Sequence, residues 1–140
     1  MNRYSVRSSN CLHSCSVSLQ HLFQHVLPIV DHTIFEGYRA EKDHLKYFDE
    51  KLTKVPYYKS KHSRRPSAAI HVLPCPLLWP EDAEDDEDEL WRFKRIYYFA
   101  GVVIGVANKL DIPIRWGGNW KGCNTFKQSF DDLCHYELID

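Results

Sequence analysis

Asp132 stands three residues before His135 in the segment Phe130-Asp-Asp-Leu-Cys-His-Tyr-Glu-Leu138. Two histidines that could join them lie far upstream, His62 in Ser60-Lys61-His62 and His71 in Ala68-Ala69-Ile70-His71. An acid beside one metal-type ligand, with the other ligands distant in sequence, is how a zinc hydrolase site is often assembled. Three protein ligands hold the ion and leave a position for water. The ion lowers that water's pKa toward about 7 and polarises a carbonyl. A neighbouring carboxylate then takes the proton and delivers it to the leaving amine. Asp132 suits this last role if His135 is a ligand. In a strand starting near Leu133, His135 and Glu137 share a face, so Glu137 could orient an imidazole.

Other residues could contribute. Arg39, after Glu36-Gly37-Tyr38, could bind a substrate carboxylate or a developing oxyanion, and reads equally well as a surface arginine at a strand end. Trp116 and Trp120, with the glycines between them, could line a cleft, or could be a core aromatic and a tight turn. Cys134 adjoins His135, but adjacent strand residues face opposite ways, which argues against a Cys–His nucleophile pair. His-Glu-x-x-His, Gly-x-Ser-x-Gly, P-loop and Gly-x-Gly-x-x-Gly patterns are absent. Taken singly, each histidine reads as an ordinary one rather than as a ligand.

These residues need elements to position them. Leu19, Leu22, Phe23, Val26, Leu27 and Val30 recur at helical spacing, predicting an amphipathic helix over roughly 16–30, with Pro28 marking its end. Residues 1–14 read as a loose N-terminus. A short strand is expected over 33–39 with a turn at Gly37, a second helix over about 40–53, and a loop over 55–66. Residues 68–73 read as a buried strand ended by Pro74 and Pro76. Leu90, Phe93, Tyr97, Ala100, Ile104 and Ala107 predict a helix over 90–108, with Gly101 and Gly105 permitting close packing on a sheet. Strands are expected over 112–116 and 133–138, with a turn at 117–119. Helices that precede and interleave with short strands, without βαβ alternation, indicate an α+β fold. No repeat or long linker divides the 140 residues, so they are expected to form a single domain.

Composition bounds the function. Apolar residues make up 44% and aromatics 14%, as in a globular core-forming chain. No apolar run reaches the ~18 residues of a membrane span. The start, Met1-Asn-Arg-Tyr-Ser-Val-Arg, lacks the apolar stretch of a signal peptide. Five cysteines, an odd number without Cys-x-x-Cys, argue against a disulfide framework and fit a reducing compartment. Eight acids fall within residues 81–89, expected as a solvated acidic loop over 80–89. The remaining chain holds eleven acids against eighteen Lys and Arg, a balance of +7. That surface could help hold an anionic polymer, but no nucleic-acid motif accompanies it.

The ordered set Glu36-Gly-Tyr-Arg39, Ser60-Lys-His62, Pro66-Ser-Ala-Ala-Ile-His71, Ile114-Arg-Trp-Gly-Gly-Asn-Trp120 and Asp132-Leu-Cys-His135-Tyr-Glu137 resembles the VanY-like zinc D-Ala-D-Ala carboxypeptidase and L-alanyl-D-glutamate endopeptidase family, phage endolysins in particular. The likeness runs from about residue 15 to the C-terminus. It implies a small fold of the hedgehog and D-Ala-D-Ala-peptidase type, with helices packed on a short, mostly antiparallel sheet and one catalytic zinc. By position, His62 matches the first ligand, His135 the last, Asp132 the catalytic acid and base, Arg39 the arginine that stabilises the substrate's carbonyl or carboxylate, and Ser60 the serine before the first ligand. The chain departs from the family pattern at three places. The usual aspartate ligand aligns with His71, the usual Trp-Gly-Gly-Asp-Trp reads Asn119, and the proline before the last histidine reads Cys134. A three-histidine zinc site is a known catalytic arrangement. It carries one negative charge fewer and leaves the ion a stronger Lewis acid.

The resemblance implies a monomeric zinc peptidase acting on peptidoglycan stem peptides, without nucleic-acid or membrane partners. It would accumulate in the cytoplasm of the infected host and reach the wall through a separate pore. Two alternatives share the likeness: a wall-binding or virion structural module that kept the fold and lost the metal, and a carboxypeptidase acting on D-Ala-D-Ala ends.

Overall fold

A computed structural model describes all residues from Met1 to Asp140. Four helices and four strands follow one another as α1 (Val6–His13), α2 (Val17–Val26), β1 (His32–Glu36), α3 (Glu41–Asp49), β2 (Ala69–Pro74), α4 (Asp86–Lys109), β3 (Ile114–Gly117) and β4 (Asp132–Leu138). Single 3-10 turns at Tyr57–Lys59, Lys61–Ser63 and Pro80–Asp82 punctuate the connections. The strands form one antiparallel sheet in the order β1-β2-β4-β3. This is the expected α+β architecture of helices on a short antiparallel sheet.

Side chains alternate across a strand, and that alternation divides the sheet into two chemically different faces. Ile34, Ile70, Val72, Trp116, Cys134 and Tyr136 join Leu19, Leu22, Phe23, Val26, Phe99 and Val103 of α2 and α4 in a single core. The other face carries Glu36, His71, His135 and Glu137, polar groups that would be costly within that core. The loop between α3 and β2 brings His62 to this second face.

Several expectations are corrected. Residues 1–14 are not loose. The Ser5 hydroxyl accepts from Ser8 N and caps α1, Leu12 enters the core, and Ser8 Oγ accepts from Ile34 N. The helix expected over 16–30 starts at the Ser16 cap and ends at Val26, before Pro28. Residues 80–89 are only partly a loop. A 3-10 turn occupies Pro80–Asp82, Asp85 caps α4, and Asp86, Glu87, Asp88 and Glu89 form its first turn. Negative charge is stabilised there by the helix dipole and the unpaired N–H groups. The buried stripe of α4 is Ile96, Phe99, Ala100, Val103 and Ala107, whereas Leu90 and Ile104 are exposed. Gly101 and Gly105 also face solvent, and a Cβ at either would meet nothing within 4 Å. They do not pack on the sheet. No helix is long and apolar enough to cross a membrane.

Candidate metal centre

Three imidazoles converge where β2, β4 and the 61–63 turn meet. His62 Nε2 lies 3.1 Å from His71 Nε2 and 3.3 Å from His135 Nδ1, and the latter two are 3.1 Å apart. His71 and His135 are direct cross-strand partners, so the sheet itself sets that pair. His62 is held from behind, since its Nδ1 lies 2.8 Å from the carbonyl of Gly37. A carbonyl only accepts, so Nδ1 carries the proton and Nε2 presents a lone pair. On the opposite side, His135 Nε2 donates to Glu137 Oε1 at 3.0 Å, which leaves a lone pair on Nδ1.

Two lone pairs therefore face each other across 3.3 Å with no proton between them. His71 cannot relieve both if it is neutral. Protonation is opposed as well: burial first, then the neighbouring His135 and Arg39, holds His62 well below the usual histidine range. His71 is lowered by burial and by the other two imidazoles. A cation at the centre satisfies all three nitrogens at once. Around a tetrahedral ion about 2.0–2.1 Å from each nitrogen, neighbouring donors stand ~3.3–3.4 Å apart. The observed triangle matches that footprint closely.

Two irregularities in the sheet bring carboxylates to this point. In a regular strand, residues three apart face opposite ways, so Asp132 and His135 should diverge. Instead the β3–β4 register shifts after Trp116↔Tyr136, and Gly117 pairs with Asp132. Asp132 Oδ2 thereby comes within 3.8 Å of His135 Nδ1 and 3.9 Å of His71 Nε2. Gly117 is required here, because a Cβ would meet the Asp132 carbonyl oxygen at 2.0 Å. At the other edge, β1 pairs regularly as far as Ile34↔Val72 and then skips Phe35, so that Glu36 pairs with His71. Such bulges commonly re-aim a side chain beside a functional site. Glu36 Oε1 lies 3.6 Å from His62 Nδ1 and 4.0 Å from His71 Nδ1.

Charges anchor the periphery. Glu137 receives His135 Nε2, Lys61 Nζ and Arg115 Nη2, each at 3.0 Å. Burial alone would raise its carboxyl, but these three bonds hold it down at about 2. Arg39 is committed inward: it pairs with Glu36, lies 3.4 Å from His44 Nδ1, and stacks 4.7 Å over the ring of Tyr47. Its guanidinium is thus not presented to solvent as a free substrate clamp. Ser60 is buried between the 3-10 turns at 57–59 and 61–63, where its backbone carries the hydrogen bonds and its hydroxyl makes none to the cluster. Trp116 is a core residue rather than a cleft wall, with Nε1 donating to Leu133 O at 2.7 Å and its ring against Tyr97. Trp120 is the tryptophan at the site, tilted on His135 at 5.5 Å.

His71, Asp132 and Cys134 also come together. Burial, then Asp132, pushes the Cys134 thiol far up, and it donates to Asp132 Oδ1 at 3.4 Å. A thiol so hard to ionise is a poor ligand, so the three histidines are the stronger set. Beside Asp132 and Cys134 opens a groove of about 440 Å³, floored by Leu73, Trp79, Phe93 and Ile96 and rimmed by Glu81, Glu89 and Asp131. A hollow of about 530 Å³ beside Phe48 and Lys54 is lined by none of the site residues. Sequence reasoning gave no role to Glu36, His44 or Lys61. The signals for Glu36 were an acid at the end of a short strand and its place in the Glu36-Gly-Tyr-Arg39 segment, and the bulge that aims it leaves no mark in the residue pattern.

A family model described as phage L-alanyl-D-glutamate peptidase matches residues 1–139. No curated protein matches the sequence. Among solved structures, the fold is similar to that of the Serratia marcescens L-Ala D-Glu endopeptidase ChiX, with a TM-score of 0.73 at 20% identity over 98% of this chain and 90% of that one.

Proposed function

Because the chain belongs to the phage L-alanyl-D-glutamate peptidase family, we propose that it is a zinc-dependent endopeptidase that hydrolyses the L-Ala–D-Glu bond of peptidoglycan stem peptides during phage lysis. The observation that carries the metal reading is the triangle of imidazole nitrogens at 3.1–3.3 Å, two of them held as lone-pair donors by Gly37 and Glu137. Neutral imidazole suits zinc, and three such ligands leave a position open for water.

His62, His71 and His135 would hold the ion, which would supply Lewis-acid polarisation of the scissile carbonyl and make a water easier to deprotonate. Asp132 takes the proton of the attacking water and returns it to the departing amine. Its carboxylate stands 3.8–3.9 Å from two of the nitrogens, close enough to reach a water held at the cluster. Arg39 adds a fixed positive charge beside the cluster that favours the developing oxyanion. Glu137 keeps His135 in the tautomer that binds metal. The groove beside Asp132 receives the peptide. The protein accumulates in the host cytoplasm and reaches the wall through a separate pore.

The test is the turbidity of outer-membrane-stripped cell walls, with and without chelator and added zinc, with defined stem peptides analysed by mass. Lysis that needs zinc and fails with Asp132→Ala supports the mechanism. Wall binding without cleavage at any zinc concentration, or lysis indifferent to Asp132→Ala, refutes it. Release of terminal D-Ala instead would replace the endopeptidase reading with a carboxypeptidase.

A further inference from the structure

We propose that Glu36 is a positioning residue that completes the histidine cluster, supplying the negative charge that three neutral imidazoles lack and orienting His71 through its Nδ1. This rests on the metal reading above and adds to it a residue outside the ligand set. Four observations converge. The bulge that skips Phe35 makes Glu36 the direct cross-strand partner of His71. Its Oε1 faces the outer nitrogens of two cluster histidines, 3.6 Å from His62 Nδ1 and 4.0 Å from His71 Nδ1. His62 Nδ1 already donates to Gly37 O, whereas His71 Nδ1 has no hydrogen-bond acceptor, and the Glu36 carboxylate, 4.0 Å away, is the acid that faces it. Arg39 Nη2 pairs with that same Oε1 and offsets part of the rise that burial imposes on the Glu36 carboxyl, whose side chain is only 17% exposed.

The chemistry follows from the donor set. Three neutral ligands leave the full double charge of a divalent ion to be balanced by the surroundings. Glu137 performs this service for His135, shared with Lys61 and Arg115. Glu36 stands in the corresponding place behind His71. A carboxylate behind a metal-bound imidazole fixes its tautomer and raises its basicity, and loss of such a partner typically costs about 10–100-fold in metal affinity.

The experiment measures zinc affinity of the purified protein by competition with a chromophoric chelator, with circular dichroism of the metal-free protein as a folding control. Glu36→Gln is expected to retain one zinc per chain and lose about 10–100-fold in affinity. In a His71→Asp background, where the ligand itself carries the charge, the same change is expected to cost less than about threefold. Glu36→Gln combined with Arg39→Met distinguishes two causes, and it also removes the ion pair as a unit, which protects the test if the single variant does not fold. Affinity that stays low means Glu36 acts on the cluster. Affinity that returns to the wild-type level means Glu36 only neutralises Arg39, and overturns the proposal. A wild type that binds one zinc while Glu36→Gln binds it equally well overturns this inference alone. A wild type that binds none overturns the metal reading with it.

Discussion

Gly117→Ala tests the proposed mechanism by separating the placement of Asp132 from the holding of a metal by the three histidines. An added Cβ would stand 2.0 Å from the carbonyl oxygen, 2.8 Å from the carbonyl carbon and 3.0 Å from the Cβ of Asp132, where ordinary contact begins at 3.4 Å. The obstacle is mainly backbone, so β3 and the start of β4 must part by about 1.4 Å, the shortfall at the oxygen. His135 is less affected, because it is tied to His71 across the β2–β4 ladder. A misplacement of about 1 Å at a reacting group costs roughly 100-fold in rate, equivalent to about 2.7 kcal/mol of barrier. Overpacking of this kind destabilises by about 1–3 kcal/mol, or roughly 3–10 °C in Tm for a domain this size. Turnover of a defined stem peptide, zinc affinity and thermal unfolding should be measured on the same preparation. The expected pattern is a rate loss near 100-fold, zinc affinity changed less than about threefold, and a lowered Tm. A rate within about fivefold of wild type would show that the close approach at Gly117 does not position Asp132. Loss of zinc in step with rate would show that Asp132 and His135 move together.

Other changes test neighbouring parts of the argument. Glu137→Gln should weaken zinc binding about 10–100-fold, measured by chelator competition. Because the folded-state carboxyl of Glu137 lies near 2, below its ordinary value of 4.5, its contribution to stability is present above about pH 4.5 and is lost as pH falls toward 2. The variant's Tm should therefore fall less steeply than wild type across that window. In chelator, the lowered His62 and His71 make the unfolded chain the better proton binder, so wild-type stability should decline as pH drops below about 6.5, followed by urea unfolding. A flat profile there would contradict neutral buried imidazoles. Gly101→Ala and Gly105→Ala, on the exposed face of α4 with nothing within 4 Å, should each stabilise by up to about 1 kcal/mol, read as a raised Tm with unchanged turnover.

The β2 and β4 strands were legible because their central residues alternate, with apolar Ile70, Val72 and Tyr136 toward the helices and His71, His135 and Glu137 away from them. The phase of α4 was not. From Ile96 to Ala107 the helix is apolar almost all round, so periodicity alone could not choose between a stripe through Ile104 and the observed one through Val103. α1 was missed because its eight residues hold little apolar surface. Its fixation comes from the Ser5 cap and from the partnership of Ser8 with β1, neither of which is a matter of hydrophobic pattern. The three histidines and Asp132 could be nominated together from the sequence, but not the part of Glu36 or the ladder slips that bring both acids to the cluster. Both carboxylates arrive through register shifts, and residue types carry almost no trace of where a ladder slips.

The unequal exposure of the cluster gives the site a direction. The side chain of His62 is 4% exposed, those of His135 and Glu137 each 10%, that of His71 15% and that of Asp132 32%. The site therefore opens on the side of Asp132 and His71 and is shut behind His62. A cross-linked polymer cannot be threaded through a closed tunnel, because its strands have no free end at most positions. A mouth on the side of Asp132 would admit a peptide sideways, and under the proposed mechanism Asp132 is the first group of the site that it meets.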